Sequence, residues 1–155
     1  MRPQSLSPRA VVVGVALTYA LAGAAISIPS ALTILRFFPD RSHVILVTST
    51  ITLLRTFLFA ALGTLAALAG TGRLRVQRLD AELLVGRMIA AGALGGVAES
   101  ALGRVFVRQL IAAYRTAPVM AQLVSGVITF TLAALVTLVL IVRVTRRDTA
   151  APLAA

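Results

Sequence analysis

Side chains able to perform acid–base, nucleophilic or metal chemistry are scarce in this sequence. Among its 155 residues there is no cysteine and only one histidine, His43, which excludes thiol chemistry and multi-histidine metal sites. Only five carboxylates are present; they are Asp40, Asp80, Glu82, Glu99 and Asp148. We therefore expect no catalytic residues, no metal and no cofactor, and a protein that is not an enzyme. A lipid-modifying enzyme that relies on Arg55 and Glu99 stays open as the enzymatic alternative.

Arg55 is the residue whose surroundings demand an explanation. It lies in the middle of the apolar stretch TSTITLLRTFLFAALG, which runs from Thr48 to Gly63. An arginine at the centre of a membrane helix costs about 2.5–3.5 kcal/mol on insertion scales unless it is paired or hydrated. Thr48 and Thr52 precede it at helical spacing and share its face. This face is therefore predicted to meet protein or water rather than lipid.

Glu99 is the predicted partner of Arg55, because it is the only carboxylate well inside an apolar segment. In AAGALGGVAESALG the residues Gly92, Gly95 and Gly96 share a helix face with Glu99, and small residues allow helix backbones to approach closely. We predict an Arg55–Glu99 contact, direct or through water, between neighbouring helices. Two alternatives stay open: a pair that only determines which helices are neighbours, and an Arg55 that faces another subunit.

The composition predicts that these residues lie on membrane helices. The chain is 59% hydrophobic and 13% charged, and its mean hydropathy is +0.96. About 20 apolar helical residues cross a bilayer core of ~30 Å. The expected fold is all-α: one domain of a polytopic membrane protein, a four-helix transmembrane bundle with spans at about 10–35, 44–70, 81–103 and 118–142. The first span resembles a signal peptide but is longer than one, so we expect it to be retained.

A different pattern follows the third span. In residues 103–115 three arginines, Arg104, Arg108 and Arg115, fall within about 40° of each other on a helical wheel, and the remaining circumference is mostly apolar. This predicts a short interfacial amphipathic helix between spans 3 and 4, or an extension of span 3 beyond the bilayer. Arg104 and Arg108 would then contact lipid headgroups or anions.

Arginine also indicates the orientation. All fifteen basic residues are arginine, and the net charge is +10. The arginines flank apolar runs without aromatic platforms, so we expect a lipid bilayer as the partner and no nucleic acid. With both termini cytoplasmic in the plasma (inner) membrane, eight arginines lie inside and five outside, as the positive-inside rule requires. The inner eight are Arg2, Arg9, Arg73, Arg75, Arg78, Arg143, Arg146 and Arg147; the outer five are Arg36, Arg41, Arg104, Arg108 and Arg115.

Polar uncharged side chains cluster in the outer half of the predicted spans. On the fourth span Gln122, Ser125 and Thr129 share one face, and Thr48 and Thr52 lie at the same level on the second. This agreement predicts a hydrated cavity that opens on the non-cytoplasmic side and has its floor near Arg55. The alternative is that each hydroxyl bonds back to its own helix, which requires no cavity.

Two functions are compatible with this pattern. The first is a non-enzymatic helper or scaffold subunit that associates through its small-residue helix faces, as a homo-oligomer or with a partner membrane protein. The second is a transporter or binding protein for a small anion or lipid headgroup. Its buried site would be Arg55 with Glu99, and its polar lining would be Thr48, Thr52, Gln122 and Ser125. The short loops and the scarcity of chemical groups favour the first function.

Overall fold

The computed structural model describes residues 5–75, 79–105, 109, 112 and 115–148, and it confirms that the protein is helical. Four long helices account for most of these residues: α1 (Pro8–Phe37), α2 (Ser42–Gly70), α3 (Ala81–Val105) and α4 (Pro118–Asp148). Each helix contains one predicted apolar segment and extends it by a few residues. A two-residue antiparallel pair, β1 (Ser5–Leu6) with β2 (Leu79–Asp80), ties the start of α1 to the start of α3.

Local sequence signals determine where α1 begins and ends. Ser7 is its N-cap, and the Ser7 side chain accepts a hydrogen bond of 3.3 Å from the backbone N–H of Ala10. Pro8 occupies the first helical turn, where its missing N–H costs nothing. Pro39 follows the last residues of α1 and starts a tight helical turn, Pro39–Arg41, that leads directly into α2. This short connection makes α1 and α2 antiparallel.

Length and composition allow three of the described helices to span a membrane. These are α1, α2 and the segment Pro118–Arg143 of α4. Among the described residues α3 is not one of them; this helix is rich in glycine and alanine and carries Arg87 and Glu99. The apolar length of α1, α2 and α4 is thus compatible with membrane association, whereas a crossing by α3 stays a prediction.

The four helices pack in the cyclic order α1, α3, α4, α2, so that α2 and α3 lie diagonally opposite each other. Our prediction that α2 and α3 are neighbours is therefore wrong. The reason is that the glycine face of α3 fits α1: a Cβ at Gly95 would overlap the Tyr19 ring, and a Cβ at Gly96 would overlap the Tyr19 carbonyl oxygen. Gly92 of α3 likewise faces Thr18 of α1.

The contact between α2 and α4 is similarly close. A Cβ at Gly63 would overlap the backbone carbonyl of Phe130, and a Cβ at Gly126 would lie 2.6 Å from the Phe59 ring. Small residues on α2 and α4 therefore perform the role that glycines perform between α1 and α3. The glycine-mediated close approaches are therefore those of α1 to α3 and of α2 to α4.

Packing is dense at one end of this arrangement and open at the other. Val11, Val15, Met88 and Leu140 form a core near the start of α1. Towards the opposite end, none of the described side chains from 21–37 of α1 or from 42–55 of α2 is buried. The helices thus separate towards the turn between α1 and α2.

Thr64 and Thr137 join α2 to α4 inside the dense end. Their hydroxyl oxygens are 3.3 Å apart, but each hydroxyl also lies 2.8 Å from a carbonyl of its own helix, that of Ala60 or Ala133. We expect a double-mutant cycle of Thr64→Val and Thr137→Val to give a coupling energy of about 0.6 kcal/mol, typical of such pairs in membrane proteins. The unfolding free energies in detergent measure it, and a coupling above about 2 kcal/mol would contradict the expectation.

Candidate ligand site

The structure brings Arg55 and Glu99 together at the centre of the helices. Nη2 of Arg55 is 3.6 Å from Oε1 of Glu99, and each side chain is 15% exposed. Although α2 and α3 are diagonal, the long arginine side chain bridges the gap between them. The distance exceeds the ~2.7–2.9 Å of a charge-assisted hydrogen bond. The two groups therefore form an ion pair that is not tightened by a hydrogen bond.

Thr129 of α4 provides the short hydrogen bond to the carboxylate. Its hydroxyl lies 2.7 Å from Oε1 of Glu99 and 2.9 Å from the carbonyl oxygen of Ser125. Thr129 is fully buried, so this contact holds Glu99 from the side opposite α1. Sequence reasoning placed Thr129 on the polar face of the fourth span but assigned it no role in the site. Its position four residues after Ser125 was the available signal.

Tyr19 of α1 is the fourth residue at this site, beside Arg55, Glu99 and Thr129. Its side chain is fully buried, and its phenol lies beside Glu99 and within range of the Arg55 charge. Within the described part of the chain, neither the Tyr19 hydroxyl oxygen nor Nε of Arg55 has a hydrogen-bond partner. Sequence reasoning gave Tyr19 only an anchoring or packing role and did not place it in the site, although it is the only tyrosine in the first span. We call Tyr19, Arg55, Glu99 and Thr129 the ionic centre; each of the four helices contributes one of them.

A cavity of about 530 Å³ lies beside the ionic centre, within the range typical of small-molecule sites. It occupies the open end of the molecule, towards the turn between α1 and α2. Of the residues predicted from the sequence, Thr48, Thr52, Glu99 and Ser125 line it. Gln122 is exposed and does not contribute to the lining. Arg55 contacts Glu99 but is itself not part of the cavity wall.

The cavity wall is mostly apolar with a few polar groups. Two of its hydroxyls bond back to their own helix: Ser27 donates to the Gly23 carbonyl at 3.0 Å, and Thr52 donates to the Thr48 carbonyl at 2.8 Å. Hydrogen bonds from hydroxyls to their own helix and a cavity therefore occur together, although the sequence suggested them as alternatives. The other polar wall residues are Thr48, Ser49, Glu99, Ser100 and Ser125, and the larger apolar ones are Ile26, Ile28, Leu53, Leu102 and Ile128.

Two further predictions fall largely outside the described residues. The helix α3 includes Arg104, but the Arg104 side chain and the whole of Arg108 are not described, so their contact with headgroups or anions stays a prediction. The same holds for the amphipathic helix at 103–115. Its first three residues form the end of α3, whereas 106–108, 110–111 and 113–114 are not described.

The described residues contain no group of three side chains able to hold a metal ion together. Comparison of the chain with protein-family models, with curated proteins and with solved structures finds no match. The ionic centre and the cavity beside it are therefore the features of the molecule that bear on its function.

Proposed function

We propose that this protein is a non-enzymatic integral membrane protein that binds a small molecule in the cavity between its four helices. The observation that carries the proposal is that all four helices line one cavity and also supply the four residues of the ionic centre beside it. A mostly apolar cavity with a few convergent polar groups is the usual form of a small-molecule site.

A bilayer location explains the apolar surface of the protein. Large apolar side chains are exposed on every helix, for example Leu32, Leu46, Leu94 and Val127, and lipid is the environment in which such a surface is stable. We propose a four-helix transmembrane bundle in the plasma (inner) membrane with both termini cytoplasmic, as the arginine balance indicates. The cavity then opens towards the non-cytoplasmic side.

The scaffold function loses its main support in this arrangement. We expected the small-residue faces to recruit a partner, but Gly92, Gly95 and Gly96 all face α1 within the same chain. Gly63 and Gly126 are used in the same way between α2 and α4. Because these faces already perform intramolecular packing, a binding function accounts for more of the described site than a scaffold function does.

Thiol labelling tests whether the cavity is hydrated. The chain has no cysteine, so each single-cysteine variant reports on one position only. We expect Thr52→Cys and Ser125→Cys to react with a membrane-impermeant maleimide added from the non-cytoplasmic side, because both residues line the cavity and the reactive thiolate forms only where water reaches it.

Two control variants show whether labelling requires a hydrated position: one places the thiol on the apolar surface and the other in the packed interior. Leu54→Cys places the thiol two residues from Thr52, at a position that is 58% exposed but outside the cavity wall. Ala133→Cys places it in the fully buried interior. Both are expected to stay unlabelled. Equal protection of Thr52→Cys and Leu54→Cys would contradict the hydrated cavity, and labelling only from the cytoplasmic side would reverse the orientation.

A further inference from the structure

We propose that the ligand of this cavity carries an organic ammonium group, which binds at Glu99, on an apolar body that lies along the helix walls. This inference rests on the proposed binding function and names the chemical class of the ligand. It departs from the anion that Arg55 suggested in the sequence.

The first reason is the charge that reaches the cavity. Glu99 is part of the cavity wall, whereas Arg55 meets the carboxylate without lining the cavity. A molecule in the cavity therefore encounters a negative group directly and a positive group only beyond it. A cationic ligand complements this arrangement, and an anionic ligand is repelled by the nearer charge.

The second reason is the direction of the hydrogen bonds in the wall. The hydroxyl protons of Ser27 and Thr52 are directed to carbonyls of their own helix. A hydroxyl has a single proton, so these oxygens present only lone pairs to the cavity. An ionised carboxylate such as Glu99 is also an acceptor alone. These three wall groups therefore favour a ligand that supplies N–H or O–H donors.

The third reason is that Glu99 has acceptor capacity left. An ionised carboxylate offers about four lone-pair positions. Thr129 occupies one of them at 2.7 Å, the Tyr19 phenol lies beside a second, and Arg55 stays at 3.6 Å, beyond hydrogen-bond distance. An ammonium nitrogen at ~2.8 Å would add a charge-assisted hydrogen bond. The remaining wall residues, among them Ile26, Leu53 and Ile128, would contact the apolar body.

Three probes with the same body and different head groups test the inference: phenylbutylammonium, phenylbutanol and phenylbutanoate. The full chain is purified in a neutral maltoside detergent, and its melting temperature is measured against the concentration of each probe. We expect a saturable rise with the ammonium probe, and an apparent affinity at least about tenfold weaker for the alcohol and for the carboxylate. This comparison needs no variant, so it does not depend on the folding of any substituted chain.

Variants then locate the binding. Glu99→Gln keeps the shape of the side chain and removes its charge, and it is expected to weaken phenylbutylammonium binding about tenfold or more. Asp40→Asn is the matched control, because it removes a carboxylate from the exposed turn outside the cavity wall and should leave binding unchanged. Equal weakening by both variants would show that only the overall charge matters and would overturn the inference.

The remaining outcomes show whether only the proposed ligand class is wrong or whether the proposed binding function is wrong as well. Preferential binding of phenylbutanoate would overturn the ammonium inference and leave the proposed binding function standing. Binding of none of the three probes would also overturn it, while thiol labelling decides separately whether the cavity exists.

A lipid ethanolamine headgroup and a soluble amine share the proposed chemistry, and nanodiscs distinguish these two sources. Loss of the ammonium-induced shift in phosphatidylethanolamine discs, with the shift retained in phosphatidylglycerol discs, identifies the lipid as the occupant. A shift of equal size in both identifies a soluble amine.

Discussion

Replacement of Arg55 by methionine is expected to lower the free energy of unfolding by about 3–5 kcal/mol. The guanidinium lies 3.6 Å from the Glu99 carboxylate, and both side chains are only 15% exposed. Methionine fills part of the same volume but leaves Glu99 charged and mostly buried without its counter-charge, which is costly in a membrane interior. Unfolding in mixed detergent micelles, followed by circular dichroism, measures the loss.

The double variant Arg55→Met with Glu99→Gln tests whether the two groups interact. We expect it to be more stable than the sum of the single losses predicts, by about 1–3 kcal/mol, because removal of both charges leaves neither unpaired. Arg36→Met, at an exposed position near the end of α1, is the control and should change stability by no more than about 0.5 kcal/mol. Strict additivity of the two single losses would show that the pair does not contribute to stability.

The same double variant separates a structural role of the pair from a role in binding. If Glu99 only neutralises Arg55, the double variant recovers stability and nothing further is lost. If Glu99 also receives the ligand, the double variant recovers stability but still fails to bind phenylbutylammonium. We expect the second result, since Glu99 lines the cavity and Arg55 does not.

Gly96→Leu is expected to destabilise the protein by about 3 kcal/mol or more, above the usual range for overpacking. A Cβ at this position would overlap the Tyr19 carbonyl oxygen and lie 2.9 Å from the backbone nitrogen of Gly23. Both are backbone atoms of α1, so the strain is relieved only if α1 and α3 move apart. That movement also shifts Tyr19 away from Glu99. The melting temperature and the saturable phenylbutylammonium shift are therefore both expected to fall.

Gly86→Leu is the matched control for this substitution. Gly86 lies on the same helix, but a Cβ there would meet nothing within 4 Å. We expect it to leave stability unchanged or to raise it by up to about 1 kcal/mol, because leucine forms helices better than glycine, and ligand binding to persist. Equal stability of Gly96→Leu and Gly86→Leu would show that the contact between α1 and α3 is not close in solution.

The helices and the two charged members of the site were predictable from the sequence for energetic reasons. A long uncharged run must satisfy its backbone groups internally if it enters lipid, and this requirement predicts helices wherever such runs occur. A buried arginine must be paired or hydrated, and Glu99 was the only carboxylate well inside another predicted span. The polar residues at one end of the spans likewise indicated where the cavity would lie.

The neighbours of each helix were decided only by the tertiary structure. Gly92, Gly95 and Gly96 allow a close approach, but their spacing is compatible with any helix that offers a matching surface. Here that surface belongs to α1, with Thr18 and Tyr19, and α2 lies diagonally opposite. Helical periodicity specifies which side chains share a face, but it does not specify which face of another helix they meet.

The same limit applies to the ionic centre. No pattern in the sequence indicates that Tyr19 and Thr129 lie beside Arg55 or Glu99, so only the packing of the helices brings them to the carboxylate. The proposed charge of the ligand follows from packing too, because periodicity placed both charges inside the protein, whereas the positions of the helices determine that Glu99 lines the cavity. The sequence alone determined that the arginine must meet acid or water if its helix enters lipid; the depth and direction of each side chain depend on contacts between distant segments, which only the tertiary structure supplies.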